Sequence, residues 1–229
     1  MKTQIHKESL ATLDIFKSLP LSALEQMARF CEIRAFKKDS PIYKSGDKIQ
    51  HVYFVLEGKI ILGRNTIDDK IIIKDLVYSN KLFGENVFTK AHLRSEFATC
   101  MNECRVLMIP IAMFQKMFMA HHNFAIEITK IIVERLDSLE LRIKNFVFMK
   151  AKQRIAGFIH QTAQKQGIKI GMEEILINHG MSHKEIAFVT DTSRQTVARV
   201  LGDLKRDNII HFSERKPNKI LIRDLAKLA

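Results

Sequence analysis

The chain has 229 residues, with 37 Lys and Arg against 25 Asp and Glu, a formal net charge of +12. An apolar content of 46% beside 27% charged residues excludes a disordered chain. No apolar run reaches the roughly eighteen residues that a membrane helix needs, and Met1–Glu8 lacks the apolar core of a secretory signal.

Residues 9–30 are predicted to be helical, with a break at Pro20 and a restart at Leu21. From Ile33 the period changes to short apolar runs between turn signals. Pro41–Tyr43, Val52–Leu56, Lys59–Leu62, Lys70–Ile73 and Arg105–Ile109 are followed by Ser45-Gly46-Asp47, Glu57-Gly58, Gly63-Arg64-Asn65, Asp75 and Pro110. Strands at this spacing predict an antiparallel sandwich or barrel. Residues 111–149 return to helix, where Ile132, Leu136, Leu139, Ile143 and Phe146 recur at intervals of 4, 3, 4 and 3, a heptad seam flanked by charges. A two-stranded coiled coil between subunits is the favoured reading, and packing on the chain's own domain is the alternative.

The segment Ser182–Leu201 reads as two short helices joined by a tight turn. Ser182 with Glu185 and Thr192 with Gln195 make capping-box patterns at the two starts. Ala187 is small where helices cross, and Asp191 tolerates the left-handed backbone a turn needs. The second helix then exposes Arg194, Gln195 and Arg199, the helix-turn-helix arrangement in which such side chains meet base edges in the major groove. The rest of the tail reads as strand (207–212), basic turn (213–219) and strand (220–222), the wing of a winged helix, with Arg215, Lys216 and Lys219 available for phosphates. Charge follows the same division: from Lys150 onward there are 15 Lys and Arg against 8 Asp and Glu, +7 over 80 residues. The fold class is therefore α+β, with three segments: a β-domain over 1–120, a helix over 121–149 whose seam suits dimerisation and a winged helix-turn-helix over 150–229.

This order of elements resembles the bacterial transcription regulators of the cyclic-AMP receptor protein and FNR family over nearly the whole chain. Thr192–Arg199 is similar to the family's recognition-helix motif. The resemblance implies DNA contacts from Ser193, Arg194, Gln195, Thr196 and Arg199, with His183 and Lys216 beside them. It also implies a jelly-roll barrel of the cyclic-nucleotide-binding kind. Leu82-Phe83-Gly84-Glu85, followed by Arg94-Ser95, looks like the phosphate-binding cassette. By that match Gly84, Glu85, Arg94 and Ser95 hold an effector. Leu139 and Glu140 stand where the best-known member uses hydroxyl residues on the long helix against adenine. This sequence departs from the family at Asn86-Val87 and adds an anion at Glu96, so an Arg94–Glu85 ion pair inside an emptied pocket is the alternative.

The implied partners are double-stranded DNA, a second copy of the chain and RNA polymerase, with no membrane. The implied effector is a cyclic nucleotide or another small molecule. An adaptor acting through a protein partner, and a regulator that binds DNA without ligand, remain alternatives. The three cysteines, Cys31, Cys100 and Cys104, read as buried thiols in a reducing cytoplasm, and no metal is expected. His121-His122 reads as a solvated helix start. No Ser/His/Asp set, P-loop or HExxH motif occurs, so the chain offers no catalytic residues.

Overall fold

The computed structural model describes residues 2–65, 71–85, 88–89, 92–170, 174–178, 180–213 and 216–228, which form two compact units, Met1–Glu134 and Arg135–Ala229. Asn86, Val87 and Arg215, all singled out above, lie outside the described residues, as does the side chain of Lys216.

The first unit opens with helix α1 (Lys7–Ala11), a 3-10 turn (Asp14–Phe16) and helix α2 (Leu21–Phe30). The helix expected from residue 9 to Pro20 is thus two shorter pieces. Thr12 turns its hydroxyl onto the Ser9 carbonyl at 2.8 Å and Leu13 goes extended, which ends the first helix and leaves Leu10, Ile15, Phe16 and Leu19 all facing inward. Pro20 caps α2, where its missing N–H has no partner to lose.

The strands of this unit are the short terminal β1 (Lys2–Gln4), then β2 (Glu32–Phe36), β3 (Pro41–Tyr43), β4 (His51–Glu57), β5 (Lys59–Asn65), β6 (Ile71–Tyr78), β7 (Leu82–Phe83), β8 (Phe97–Cys100) and β9 (Cys104–Pro110). They make two antiparallel sheets, ordered β1-β2-β9-β4-β7 and β3-β8-β5-β6, the jelly-roll expected. Asp75, taken as a turn signal, lies inside β6. The β5–β6 register passes from Leu62↔Asp75 to Gly63↔Ile73, so Lys74 is an extra residue in a bulge and the strand continues beyond it. Tyr43, Tyr53, Val55, Ile60, Leu62, Phe83 and Val106 fill the space between the sheets. A second core joins the outer face of the first sheet to the helices: Phe16 lies 6.0 Å from both Phe54 and Phe124. Each fully buried side chain of this size contributes about 1.5–3 kcal/mol. Helix α3 (Ile111–Ala120) closes that core, and helix α4 (His122–Phe148) begins in it with Phe124 and Ile128 buried.

The second unit contains the end of α4, helix α5 (Ala151–Gln166), strands β10 (Ile168–Lys169) and β11 (Ile175–Asn178), helices α6 (His183–Val189) and α7 (Arg194–Arg206), and strands β12 (Ile210–Ser213) and β13 (Lys216–Ile222). The sheet order is β10-β11-β13-β12. The basic stretch expected as a turn over 213–219 is mostly strand, because β13 begins at Lys216 and pairs Lys219 with Asn178 of β11. That partner strand was not anticipated. Ile155 and Ile159 of α5 and Ile177, Ile210, Ile220 and Ile222 of the sheet are buried.

Candidate nucleic-acid interface

The helix-turn-helix is built from local rules. At the start of α6, Glu185 N–H donates to Ser182 Oγ at 3.3 Å and Ser182 N–H donates to Glu185 Oε2 at 2.6 Å, the capping box anticipated. Asp191 adopts φ +49°, the left-handed turn residue expected there. The second cap shifts by one residue. Thr192 N–H closes onto the Ala187 carbonyl at 2.9 Å, so the turn keeps Thr192 and Ser193 becomes the cap, accepting from Thr196 N–H at 3.0 Å. Ile186, Ala187, Val197, Val200, Leu201 and Leu204 form the shared core, while Val189 is only half-buried.

That packing leaves one side of α7 in solvent. Ser193, Arg194, Gln195, Ala198 and Arg199 are exposed together. Arg194 and Arg199 have no ion-pair partner among the described residues, so their guanidinium forks are open to a base edge or a phosphate. Thr196 is half-buried and its hydroxyl lies 2.9 Å from that of Ser193, so both hydroxyls serve the cap. His183 opens α6, half-buried, and Lys205 and Arg206 extend the basic face along the last turn of α7.

The barrel residues implied by the cassette are arranged differently from the expectation. Gly84 does take the positive φ of a phosphate-cradling turn, +77°. Its open side is already filled: a Cβ there would stand 3.0 Å from Tyr53 Cδ2 and 3.1 Å from Arg94 Nη1. Arg94 is 2% exposed. It donates to the Gly84 carbonyl at 3.0 Å and to the His51 carbonyl, and its guanidinium carbon sits 4.4 Å from the Tyr43 ring centre and 5.5 Å from that of Tyr53. Carbonyls and aromatic faces therefore hold this cation, and the Arg94–Glu85 ion pair is corrected. Glu96, two residues on and 1% exposed, pairs with Lys74 Nζ at 2.7 Å and accepts from the Tyr43 hydroxyl at 3.2 Å. The bulge at Lys74 brings that ammonium to it. Burial, with Glu96 close by, pushes the Tyr43 phenol up beyond its ordinary range. Ser95 is exposed and accepts from Arg64 at 3.0 Å, away from the Arg94 donors. Two of the arginine's nitrogens are bonded to carbonyls, its buried Nε has no hydrogen-bond partner among the described residues, and a buried carboxylate stands at the other end of the Tyr43 side chain.

On α4 the heptad residues Ile132, Leu136, Ile143 and Phe146 are 42%, 54%, 65% and 61% exposed, and Leu139 is half-buried. Cys31, Cys100 and Cys104 are free and buried, and burial raises the Cys31 thiol to about 12. Among the described residues no group of three potential ligands gathers for a metal, and no helix is long and apolar enough to cross a membrane.

Two arginines that sequence reasoning missed meet at the turn of the motif. Arg142, near the end of α4, forms a two-pronged pair with Asp191, Nη2 to Oδ1 at 2.6 Å and Nε to Oδ2 at 3.3 Å. Arg154 of α5 donates to the carbonyls of Met149, Thr190 and Asp191 at 2.7, 2.8 and 2.8 Å.

Comparison with known proteins agrees with this architecture. Residues 33–121 match the cyclic nucleotide-binding domain and residues 153–229 match the Crp-like helix-turn-helix domain. A CRP-like cAMP-activated global transcriptional regulator of Mycobacterium tuberculosis is 22% identical over 222 residues, 97% of each chain. The HTH-type transcriptional regulator ArcR of Staphylococcus epidermidis is 22% identical, covering 95% of this chain and 94% of its own. Among solved structures, CprK in complex with OCPA is 25% identical with a TM-score of 0.74, covering 90% of this chain and 91% of that one. CooA from Carboxydothermus hydrogenoformans, a mutant form, superimposes with a TM-score of 0.76 at 23% identity, covering 94% and 93%. The relatives from Mycobacterium tuberculosis and Staphylococcus epidermidis are transcription regulators, and no catalytic family is indicated. With the barrel model followed by the helix-turn-helix model along one chain, and relatives matched from end to end, the chain belongs to the cyclic-AMP receptor protein and FNR family of DNA-binding transcription regulators.

Proposed function

We propose that the chain is a cytoplasmic homodimer that binds a palindromic operator through Arg194, Gln195 and Arg199, with RNA polymerase as its downstream partner. The sensor domain over 1–120 modulates it, the helix over 121–149 dimerises it, and 150–229 binds DNA. The observation that carries this reading is the exposed face of α7, where two arginines with no ion-pair partner among the described residues flank Gln195 while the opposite face is sealed by Val197, Val200, Leu201 and Leu204. The apolar exposure of Ile132, Leu136, Ile143 and Phe146 supports the dimer, since a single subunit leaves that seam in water. A symmetric dimer presents its two recognition helices to major grooves about 34 Å apart.

The test is selection from random duplex DNA together with sedimentation of the purified protein. The expected result is a dimer at micromolar concentration and a two-fold motif. Arg194→Ala and Arg199→Ala are expected to abolish DNA retention. A monomer, or a selected motif without two-fold symmetry, overturns the reading. Loss of DNA retention with no loss of regulatory output favours the adaptor alternative.

A second reading, of the barrel, is favoured by Arg94. Two of its nitrogens bond carbonyls and its face lies against two tyrosines, which supports a regulator that binds DNA without a cyclic nucleotide. Melting measured with a panel of cyclic nucleotides is expected to show no shift in the unaltered chain. A shift that Arg94→Leu removes reinstates the phosphate site.

A further inference from the structure

The turn of the helix-turn-helix is held from outside the motif. Asp191, with its left-handed backbone, is three residues ahead of Arg194, and among the described residues its side chain is bonded by Arg142. Arg142 lies on the last two turns of α4, one residue before Ile143 and three after Leu139 of the apolar seam. Arg154 completes the fastening. Its three nitrogens reach the carbonyl of Met149, just past the end of α4, and the carbonyls of Thr190 and Asp191 at the end of α6. Its guanidinium carbon also stands 5.1 Å from the Phe146 ring centre. The carbonyls it satisfies are those that a helix end leaves without intrahelical partners.

We propose that Arg142 and Arg154 are positioning residues for sequence recognition, which fasten the turn before α7 to the end of α4 so that the helix carrying the dimer seam sets the separation of the two recognition helices. The inference rests on the proposed function and deepens it. The leverage is geometric. Thirteen residues make α7 about 20 Å long. A swing of roughly 10° at the turn moves its far end by about 3.5 Å, close to the 3.4 Å rise of one base pair. A loose turn therefore spoils the spacing between half-sites while leaving each motif able to bind alone. The same pair does little for stability, because the Arg142 and Asp191 side chains keep 26% and 28% of their surface in water. Positioning and folding are thus separable by experiment.

The experiment uses the full chain and three variants: Arg142→Gln, Asp191→Asn, in which Asn keeps the tolerance for positive φ, and Arg154→Lys, which keeps the charge and loses the fork. Each is measured against the selected palindrome, against the same palindrome with one base pair inserted or removed at its centre, and against an isolated half-site. For the unaltered chain one base pair of change is expected to cost about tenfold in affinity, because the second half-site is no longer reached without strain. For Arg142→Gln and Asp191→Asn that penalty is expected to fall to about twofold, with half-site affinity and melting temperature unchanged. The Arg142→Gln/Asp191→Asn double variant is expected to be no looser than either single one. Spacing penalties equal to those of the unaltered chain overturn the clamp alone, whatever happens to stability. An unaltered chain that binds no palindrome overturns the proposed function and the clamp with it.

Discussion

Gln195 stands between two arginines on the open side of α7, and its amide is the most informative group on that face. An amide presents a donor and an acceptor side by side, which matches N7 and N6 of adenine, whereas a carboxylate only accepts and suits the amino group of cytosine. Gln195→Glu is therefore expected to move the preferred base at one position of each half-site from adenine to cytosine. The discrimination at stake is about 1–3 kcal/mol, a change of roughly 5- to 150-fold between the two bases. Selection from random DNA with both proteins reads this directly, and identical motifs would sink it. Arg94 makes the opposite point. Its side chain is as well suited to an anion as Arg194, but burial against Tyr43 and Tyr53 and two backbone carbonyls have turned it into a core residue. Residue type named the chemistry in both cases, and the surroundings decided whether it is available.

At the scale of elements, legibility followed how local the determining interaction is. The start of α6 was readable because Ser182 and Glu185 cap within one turn, and the α4 seam because its repeat lies on one helix. Asp191 was readable as a left-handed residue for the same reason. The bulge at Lys74 was not, because it depends on the register with β5 and on a buried partner, Glu96, twenty-two residues away. Strands β10 and β11 escaped too: two and four residues long, β10 is held by pairing with β11, and β11 in turn by pairing with β13, far along the chain. Helix α5 carries a local inconsistency that can be tested. Gly157 lies in its middle, its φ is not positive, and a Cβ there meets nothing within 4 Å. No close packing explains it. Gly157→Ala is expected to stabilise the second unit by about 0.5–1 kcal/mol, since alanine loses less backbone freedom on folding. A chemical-denaturation midpoint that fails to rise would show that the helix needs the glycine for something else.

At the scale of the whole molecule, the +12 charge resolves into two populations with different duties. In the barrel two cations turn inward, Lys74 to Glu96 and Arg94 to carbonyls. In the second unit Arg142 and Arg154 hold the turn, while Arg194, Arg199 and Lys205 stand exposed on α7. Each phosphate neutralised releases counterions, so the logarithm of affinity falls by about 0.9 for each contact per tenfold rise in salt. Lys216→Gln and Lys219→Gln are expected to lower that slope by about 0.9 each per subunit, weakening all sequences alike. Charge placed on the α4 seam should act differently. Leu136→Glu with Ile143→Glu sets like charges across a dimer contact, and the resulting monomer brings one basic unit to DNA instead of two. Its slope is expected to be about half that of the unaltered protein, with the palindrome bound no better than a half-site. Filter binding across a salt series separates the cases: wing substitutions change the slope and keep the two-fold preference, whereas the seam substitutions remove both. An undiminished slope in the seam variant would place the dimer contact elsewhere on the chain.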